Sequence, residues 1–177
     1  MVALRSIVKP LDLAELFTRP QPLEVEPGCG DASFLVEYAA RHPDRNFIGV
    51  ERLLGRLRKL DRKGRRAGLT NLRGVQIEAS YFLRYLLPPR SASVLHVYFP
   101  DPWPKKKHRK HRLIGETFPR LAQAALAPGG VVYVRVGGFA LVYNAIHNVL
   151  HVFLKTEVHN ITPEEDGTYR LKTSGGT

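Results

Sequence analysis

The stretch LEVEPGCGDASFLVEYAARHPDRNFIGVER, residues Leu23 to Arg52, decides the fold. Leu23 and Val25 alternate with Glu24 and Glu26 as in a short strand, which runs into the turn signal Pro27-Gly28-Cys29-Gly30. Asp31 is placed to cap the next segment, where Phe34, Leu35, Tyr38 and Ala39 recur at helical spacing until His42-Pro43 ends it. Asn46 to Val50 then reads as a second strand. Strand, glycine turn, helix and strand in that order require a crossover connection, and a crossover makes the two strands parallel.

The same alternation continues downstream. Leu53, Leu57 and Leu60 mark the inner face of a second helix. Leu72 to Ile77 reads as a third strand, Tyr81 to Leu87 as a short helix ended by Pro88-Pro89, and Ser93 to Phe99 as a buried fourth strand. Glu116 to Ala127 is predicted helical, Pro128-Gly129-Gly130 a turn, and Val131 to Val136 a fifth strand. Phe139, Val142, Tyr143, Ile146, Val149, Leu150 and Phe153 trace an apolar helical stripe, and Lys155 to His159 with Tyr169 to Lys172 form a closing hairpin. The expected fold is α/β: a doubly wound, mostly parallel, seven-stranded sheet with a C-terminal antiparallel hairpin. It is expected as one domain over residues 1–177, with residues 1–22 a short lead.

Composition bounds the function. No run approaches the roughly 20 apolar residues of a membrane span, and the first residues lack an apolar block with a cleavage site, so a soluble, cytoplasmic protein without a membrane partner is expected. Cys29 is the only cysteine, which excludes an internal disulfide framework and a multi-thiolate zinc site. The 27 Lys and Arg outnumber the 16 Asp and Glu, a formal +11 that must lie on the surface. Eight of the cations fall between Arg52 and Arg66 and six more between Lys105 and Arg112. Clustering of that kind favours phosphate contact and a polyanionic partner.

In doubly wound sheets ligands bind beyond the carboxyl ends of the strands. Glu26 with the glycine turn, Glu51, Glu78 and Asp101 each follow one of the first four predicted strands. Gly28 and Gly30 permit close approach of a cofactor to the backbone. A dinucleotide pyrophosphate would disfavour the carboxylates of Glu26 and Asp31 beside that turn, whereas a cofactor carrying a sulfonium and an ammonium suits them. Glu51, 25 residues after Glu26, is placed to accept from two ribose hydroxyls, and S-adenosylmethionine is favoured over NAD.

The most informative string is VYFPDPWPKKKHRKHR, Val97 to Arg112. Pro100 and Pro102 hold Asp101 between fixed torsions, and a carboxylate accepts from both N1–H and N2–H of guanine. Trp103 either stacks on a base or packs the loop, while Lys105, Lys106, Lys107, Arg109, Lys110 and Arg112 supply cations for neighbouring phosphates.

FPDPWPKKKHRKHR closely resembles the signature of the tRNA (guanine-N7)-methyltransferase family, and Leu23 to Arg52 resembles that family's cofactor segment. The similarity runs from about Leu11 to Val136. It implies a class I, Rossmann-like methyltransferase fold, S-adenosylmethionine as donor, and methylation of a guanine in the tRNA variable loop. By that likeness Glu26, Gly28, Gly30, Glu51 and Glu78 match cofactor positions, Asp101 the catalytic acid, and Lys105 a lysine near the substrate.

Three departures stand beside the likeness. Val136-Gly137-Gly138-Phe139 replaces a family Thr-Asp pair, Thr168-Tyr169-Arg170-Leu171 lacks the acid of a Thr-x-Phe-Glu type motif, and Glu78 stands for the usual Asp. They keep a second reading open: a divergent paralogue that binds S-adenosylmethionine, RNA or both without turnover. A small-molecule methyltransferase would leave the basic surface unexplained. Cys29 reads as a small residue filling the turn, His147 and His151 as exposed histidines and not metal ligands, and Tyr143 and Phe153 as core. Monomer and homodimer are equally open.

Overall fold

The computed structural model describes residues 1–99, 113–115 and 117–135 with their side chains, and the backbone of 158–163 and 169–173. The five parallel strands are β1 (Leu23–Pro27), β2 (Asn46–Glu51), β3 (Leu72–Gln76), β4 (Ala92–Tyr98) and β5 (Leu126–Arg135). They are followed by β6 (Val158–Pro163) and β7 (Tyr169–Thr173), and the sheet order is β3-β2-β1-β4-β5-β7-β6. β7 pairs antiparallel with both β5 and β6. Strand order therefore reverses between β1 and β4, which opens a crevice at their carboxyl ends.

Side-chain alternation gives the sheet two apolar faces. On one, Val25, Ile48, Val50, Leu95, Val97, Val132 and Val134 pack with Phe82, Leu86, Phe118 and Ala122. On the other, Phe47 and Leu72 pack with Cys29, Leu35, Ala39 and Leu60. The second face is covered by α2 (Ser33–Arg41) and α3 (Leu54–Arg66). The first is covered by α4 (Ala79–Tyr81) with the π-helical turn Phe82–Leu86 that continues it, and by α5 (Phe118–Ala125). The covering of both faces by crossover helices is what the alternating sequence pattern demands.

Several boundaries differ from the expectation. The lead contains a short helix, α1 (Leu13–Leu16), capped by Asp12, whose Oδ1 accepts from the N–H of Ala14 at 2.9 Å. Phe17 joins the core, with Val2, Leu4, Leu11, Leu13 and Leu16 packed against it, and Leu11 N–H donates to Leu86 O at 2.8 Å. The short helix predicted from Tyr81 begins at Ala79 because Glu78 caps it. α5 is shorter than predicted: Leu126 already has extended torsions, and β5 begins there. Pro128-Gly129-Gly130 is accordingly not a turn between elements but a bulge within β5. Leu126 pairs with Ala92 and Val131 with Val94, so extra residues loop out where Gly129 takes φ +75°. Leu53, expected on the inner face of α3, is exposed at its N-cap, whereas Leu57 and Leu60 face inward as expected, joined by Gly64. The stripe from Phe139 to Phe153, with His147 and His151, lies outside the described residues.

Glu24, on the central strand, is fully buried. Its Oε2 meets His96 Nε2 on β4 at 2.6 Å, and its Oε1 accepts from Arg45 Nη1 just before β2. Burial by itself would push the Glu24 carboxyl up, but hydrogen bonding to His96 and Arg45, with their charges, holds it below its usual range. One carboxylate thus joins β1 to both flanking strands. Glu24→Ala leaves the Arg45 and His96 groups without their acceptor, and a loss of about 3–5 kcal/mol is expected in urea unfolding at pH 7. A depressed acid contributes above its unfolded pKa, so the deficit should shrink as pH falls through the lowered value. A loss under about 1 kcal/mol at pH 7 would show that the tie is not structural.

Candidate active site

The glycine turn is held in place from below. Gly28 and Cys29 N–H groups donate to Val50 O at 2.8 and 2.9 Å, fastening the turn to the end of β2. Gly28 takes φ +85° and Gly30 φ +56°, conformations that favour glycine. A Cβ built on either would meet nothing within 4 Å, so the turn borders open space and torsion, not crowding, requires glycine there. Ala32 is also left-handed, at φ +59°. Cys29 points the other way, buried against Leu35 and the Gly49 backbone, with its thiol pushed up by burial first and by the Glu26 and Glu51 charges next. That environment suits an inert turn-filling residue rather than a nucleophile.

Two carboxylates flank the turn. Glu51 is 7% exposed; its Oε2 accepts from Gly30 N–H at 3.2 Å and its Oε1 from Leu53 N–H at 2.7 Å. Each oxygen retains a lone pair for a further donor. Glu26 is 5% exposed, and among the described residues its Oε2 has no hydrogen-bond partner. Desolvation, with the Asp31 charge adding to it, raises Glu26 to about 8. A buried oxygen with no donor is costly unless something supplies one.

Asp31 was expected as a side-chain cap of α2. The N-cap position is Ala32, without a side-chain cap, while the Asp31 carboxylate accepts from Ser33 N–H at 3.1 Å and Ser33 Oγ–H at 2.8 Å. Those bonds, and Lys63 Nζ at 3.5 Å, lower its pKa and keep it on the surface. Glu78 follows β3 as expected but is exposed. Its Oε1 accepts from Ser80 N–H at 2.9 Å and its Oε2 from Tyr81 N–H at 2.7 Å, so it serves as the cap of α4. The structure therefore joins Glu26, Gly28, Gly30 and Glu51 in one cluster and gives Glu78 a structural duty. Asp101, Trp103, Lys105, Lys106, Lys107, Arg109, Lys110 and Arg112 lie outside the described residues.

Sequence reasoning missed what borders that cluster along β4. His96 Nδ1 lies 3.1 Å from the Tyr98 hydroxyl, extending the Glu24 contact toward the carboxyl edge, with Phe34, Tyr38 and Tyr133 packed around His96. Immediately after β4, Phe99 takes φ +48° and is 60% exposed, its ring 5.7 Å from the Arg135 guanidinium. Its N–H donates to Arg135 O at 2.7 Å. A bulky residue in that torsion is strained, and an exposed aromatic face is a stacking surface for a flat ring. The only available signal was indirect: a residue before proline is pushed away from helical torsions. Among the described residues no three His, Cys, Asp or Glu gather as metal ligands, and no helix is long and apolar enough to cross a membrane.

The raised Glu26 has a measurable consequence. Unfolded, this carboxyl titrates near 4.5, and folded at about 8, so in that window the native state keeps a proton that the unfolded chain has released. Stability should therefore fall as pH rises through the window, by at most about 1.4 kcal/mol per pH unit for one proton. Glu26→Gln has no proton to lose, and its stability relative to the parent should rise between pH 5 and pH 8 in urea melts. A pH-independent difference would refute the buried, protonated Glu26.

The family of putative methyltransferases matches residues 20–173. A tRNA (guanine-N(7)-)-methyltransferase of Thermotoga maritima is 38% identical over 123 residues, 70% of this chain and 39% of that protein. One of Chromohalobacter salexigens is 42% identical over 122 residues, 69% of this chain and 50% of that protein. The chain thus spans about half, or less, of the length of these curated relatives. Among solved structures, the 16S rRNA methyltransferase KamB aligns with TM-score 0.64 at 16% identity, covering 93% of both chains. An S-adenosylmethionine-dependent methyltransferase from Aquifex aeolicus aligns with TM-score 0.61 at 13% identity, covering 90% of this chain and 85% of that one. At those identities the likeness is one of fold, a Rossmann-like methyltransferase sheet with helices on both faces. With the family match spanning nearly the whole chain, from the lead through β7, this protein belongs to the putative methyltransferase family.

Proposed function

We propose that the chain is an S-adenosylmethionine-dependent methyltransferase acting on N7 of a guanine in tRNA. The observation that carries this reading is the unpartnered, buried Glu26 oxygen beside an open glycine turn that is hydrogen-bonded to Glu51. The relatives' names and the FPDPWPKKKHRKHR signature support the choice of RNA and of atom.

The residues present fit the cofactor. An ammonium group supplies the donor that Glu26 lacks, and ribose hydroxyls suit the remaining lone pairs of Glu51. The open space at Gly28 and Gly30 admits a ligand against the backbone. When bound, S-adenosylmethionine supplies an electrophilic methyl on a sulfonium. Guanine N7 carries a free lone pair, so the protein needs no general base. Its contribution is positioning and electrostatics. In this reading Asp101 accepts from guanine N1–H and N2–H and offsets the positive charge that develops on the purine, Trp103 stacks, and Lys105 to Arg112 hold neighbouring phosphates. Glu78 caps α4 and, like Glu51, keeps lone pairs with which it contacts the cofactor.

A second reading, a paralogue that binds without turnover, draws on Val136-Gly137-Gly138-Phe139 and on Thr168-Tyr169-Arg170-Leu171, where family acids are absent. Incubation with methyl-labelled S-adenosylmethionine and unmodified tRNA separates the two: label recovered as N7-methylguanosine establishes transfer, and cofactor binding without label establishes the paralogue. Asp101→Ala should lower transfer by at least about 100-fold, the scale of one electrostatic or positioning group, while cofactor affinity in calorimetry stays within about twofold. Near-normal turnover would remove Asp101 from the mechanism. Replacing Lys105, Lys106 and Lys107 together by Gln should lower the salt slope of RNA binding by about 2 to 3. An unchanged slope would remove that run from the RNA surface.

A further inference from the structure

We infer that the outer face of α3 is a second RNA-binding surface, one that grips the phosphodiester backbone away from the target guanine. The inference rests on the RNA-methylating reading and extends it to the size of RNA the protein requires.

Eight cations lie between Arg52 and Arg66, and the structure divides them. Lys63 is engaged internally, its Nζ donating to Asp31 O at 3.0 Å and Ser33 Oγ at 2.7 Å. Arg65 pairs with Asp61 at 3.0 Å. Arg52, Arg56, Arg58, Lys59, Arg62 and Arg66 are all exposed, and none has a side-chain partner among the described residues. Arg58, Arg62 and Arg66 succeed one another at one-turn spacing, so the face repels itself in the free protein. Cations in the last turn suit the helix dipole, but Arg52 and Arg56 sit at its positive end, with no acidic residue in the first turn. Local structure thus gives a reason for some of these charges and works against the others. An external polyanion answers both conflicts.

Geometry favours RNA over an anionic membrane. The apolar side of α3, Leu57 and Leu60, is committed to the sheet, where Gly49 and Gly74 leave room for their methyl groups. Apart from Leu53 at its N-cap, exposed α3 therefore has only charge to offer, and a charged rod with one apolar side chain matches a phosphate backbone better than an acyl boundary. α3 begins beside Glu51, whose Oε1 accepts from Leu53 N–H, and its 13 residues extend about 20 Å from there. RNA whose target base enters at the carboxyl edge and also follows α3 must extend that far, which a folded tRNA does and a guanine-centred trinucleotide does not.

The test compares the parent with Arg58→Gln/Lys59→Gln/Arg62→Gln, exposed residues without a side-chain partner among the described residues, after urea melts confirm that the variant is folded. Filter binding to tRNA across a salt series should show the slope lowered by about 2 to 3, against less change for Lys63→Gln/Arg65→Gln. Methyl transfer to tRNA should lose about tenfold in kcat/KM through KM, with kcat retained, while transfer to a guanine-centred trinucleotide is unchanged. An unchanged slope, equal losses on both RNAs, or loss of binding to phosphatidylserine vesicles with tRNA binding intact would each overturn the inference. Binding is read without turnover, so a lowered slope in a chain that transfers no methyl upholds α3 as an RNA surface and refutes only the catalytic reading.

Discussion

The sheet is organised around one buried carboxylate. Glu24 lies on the central strand with no exposed surface, and it contacts Arg45 on the approach to β2 and His96 on β4. An isolated charge there would be prohibitive; two hydrogen-bonded partners make it tolerable and specify which strands lie beside β1. Asn71 reinforces the same corner, its Nδ2–H groups directed at Ala39, His42 and Arg45 carbonyls within 3.1 Å. The order reversal that creates the crevice is therefore tied down from inside the core.

The crevice inherits its character from that strand. Glu26 follows Glu24 by two residues and so projects from the same face, but where Glu24 meets Arg45 and His96 the Glu26 Oε2 meets no partner among the described residues, and its carboxyl is raised to about 8. The contrast runs along a single strand: the first acid is satisfied by the protein, and the second keeps an oxygen without a partner among the described residues. Strain is placed at the same edge, in the left-handed turn residues and in Phe99.

Charge is distributed on a different principle. The interior uses few ionic groups, each paired or poised, whereas the outer surface of α3 carries cations that the fold does not use. A cleft suited to a cationic ligand and a flank suited to a polyanion occupy adjoining parts of one edge, separated by the Glu51 bonds to Gly30 and Leu53.

Much of this was legible in residue order. The alternation from Leu23 to Arg52 dictated a parallel unit, because strand, turn, helix and strand close only by a crossover, and Gly28 and Gly30 marked the turn because few other residues take those torsions. Position after a strand brought out Glu26 and Glu51, which the structure sets on either side of the turn. Local pattern misled where long-range contacts decide. Pro128-Gly129-Gly130 has turn composition yet bulges within β5 because Leu126 already pairs with Ala92. Sequence by itself determined the fold class and the chemical types at the crevice, since both follow from periodicity and residue chemistry. Only the tertiary structure decided which acids are satisfied and which are open, because that depends on donors such as His96, distant in the chain and adjacent in space.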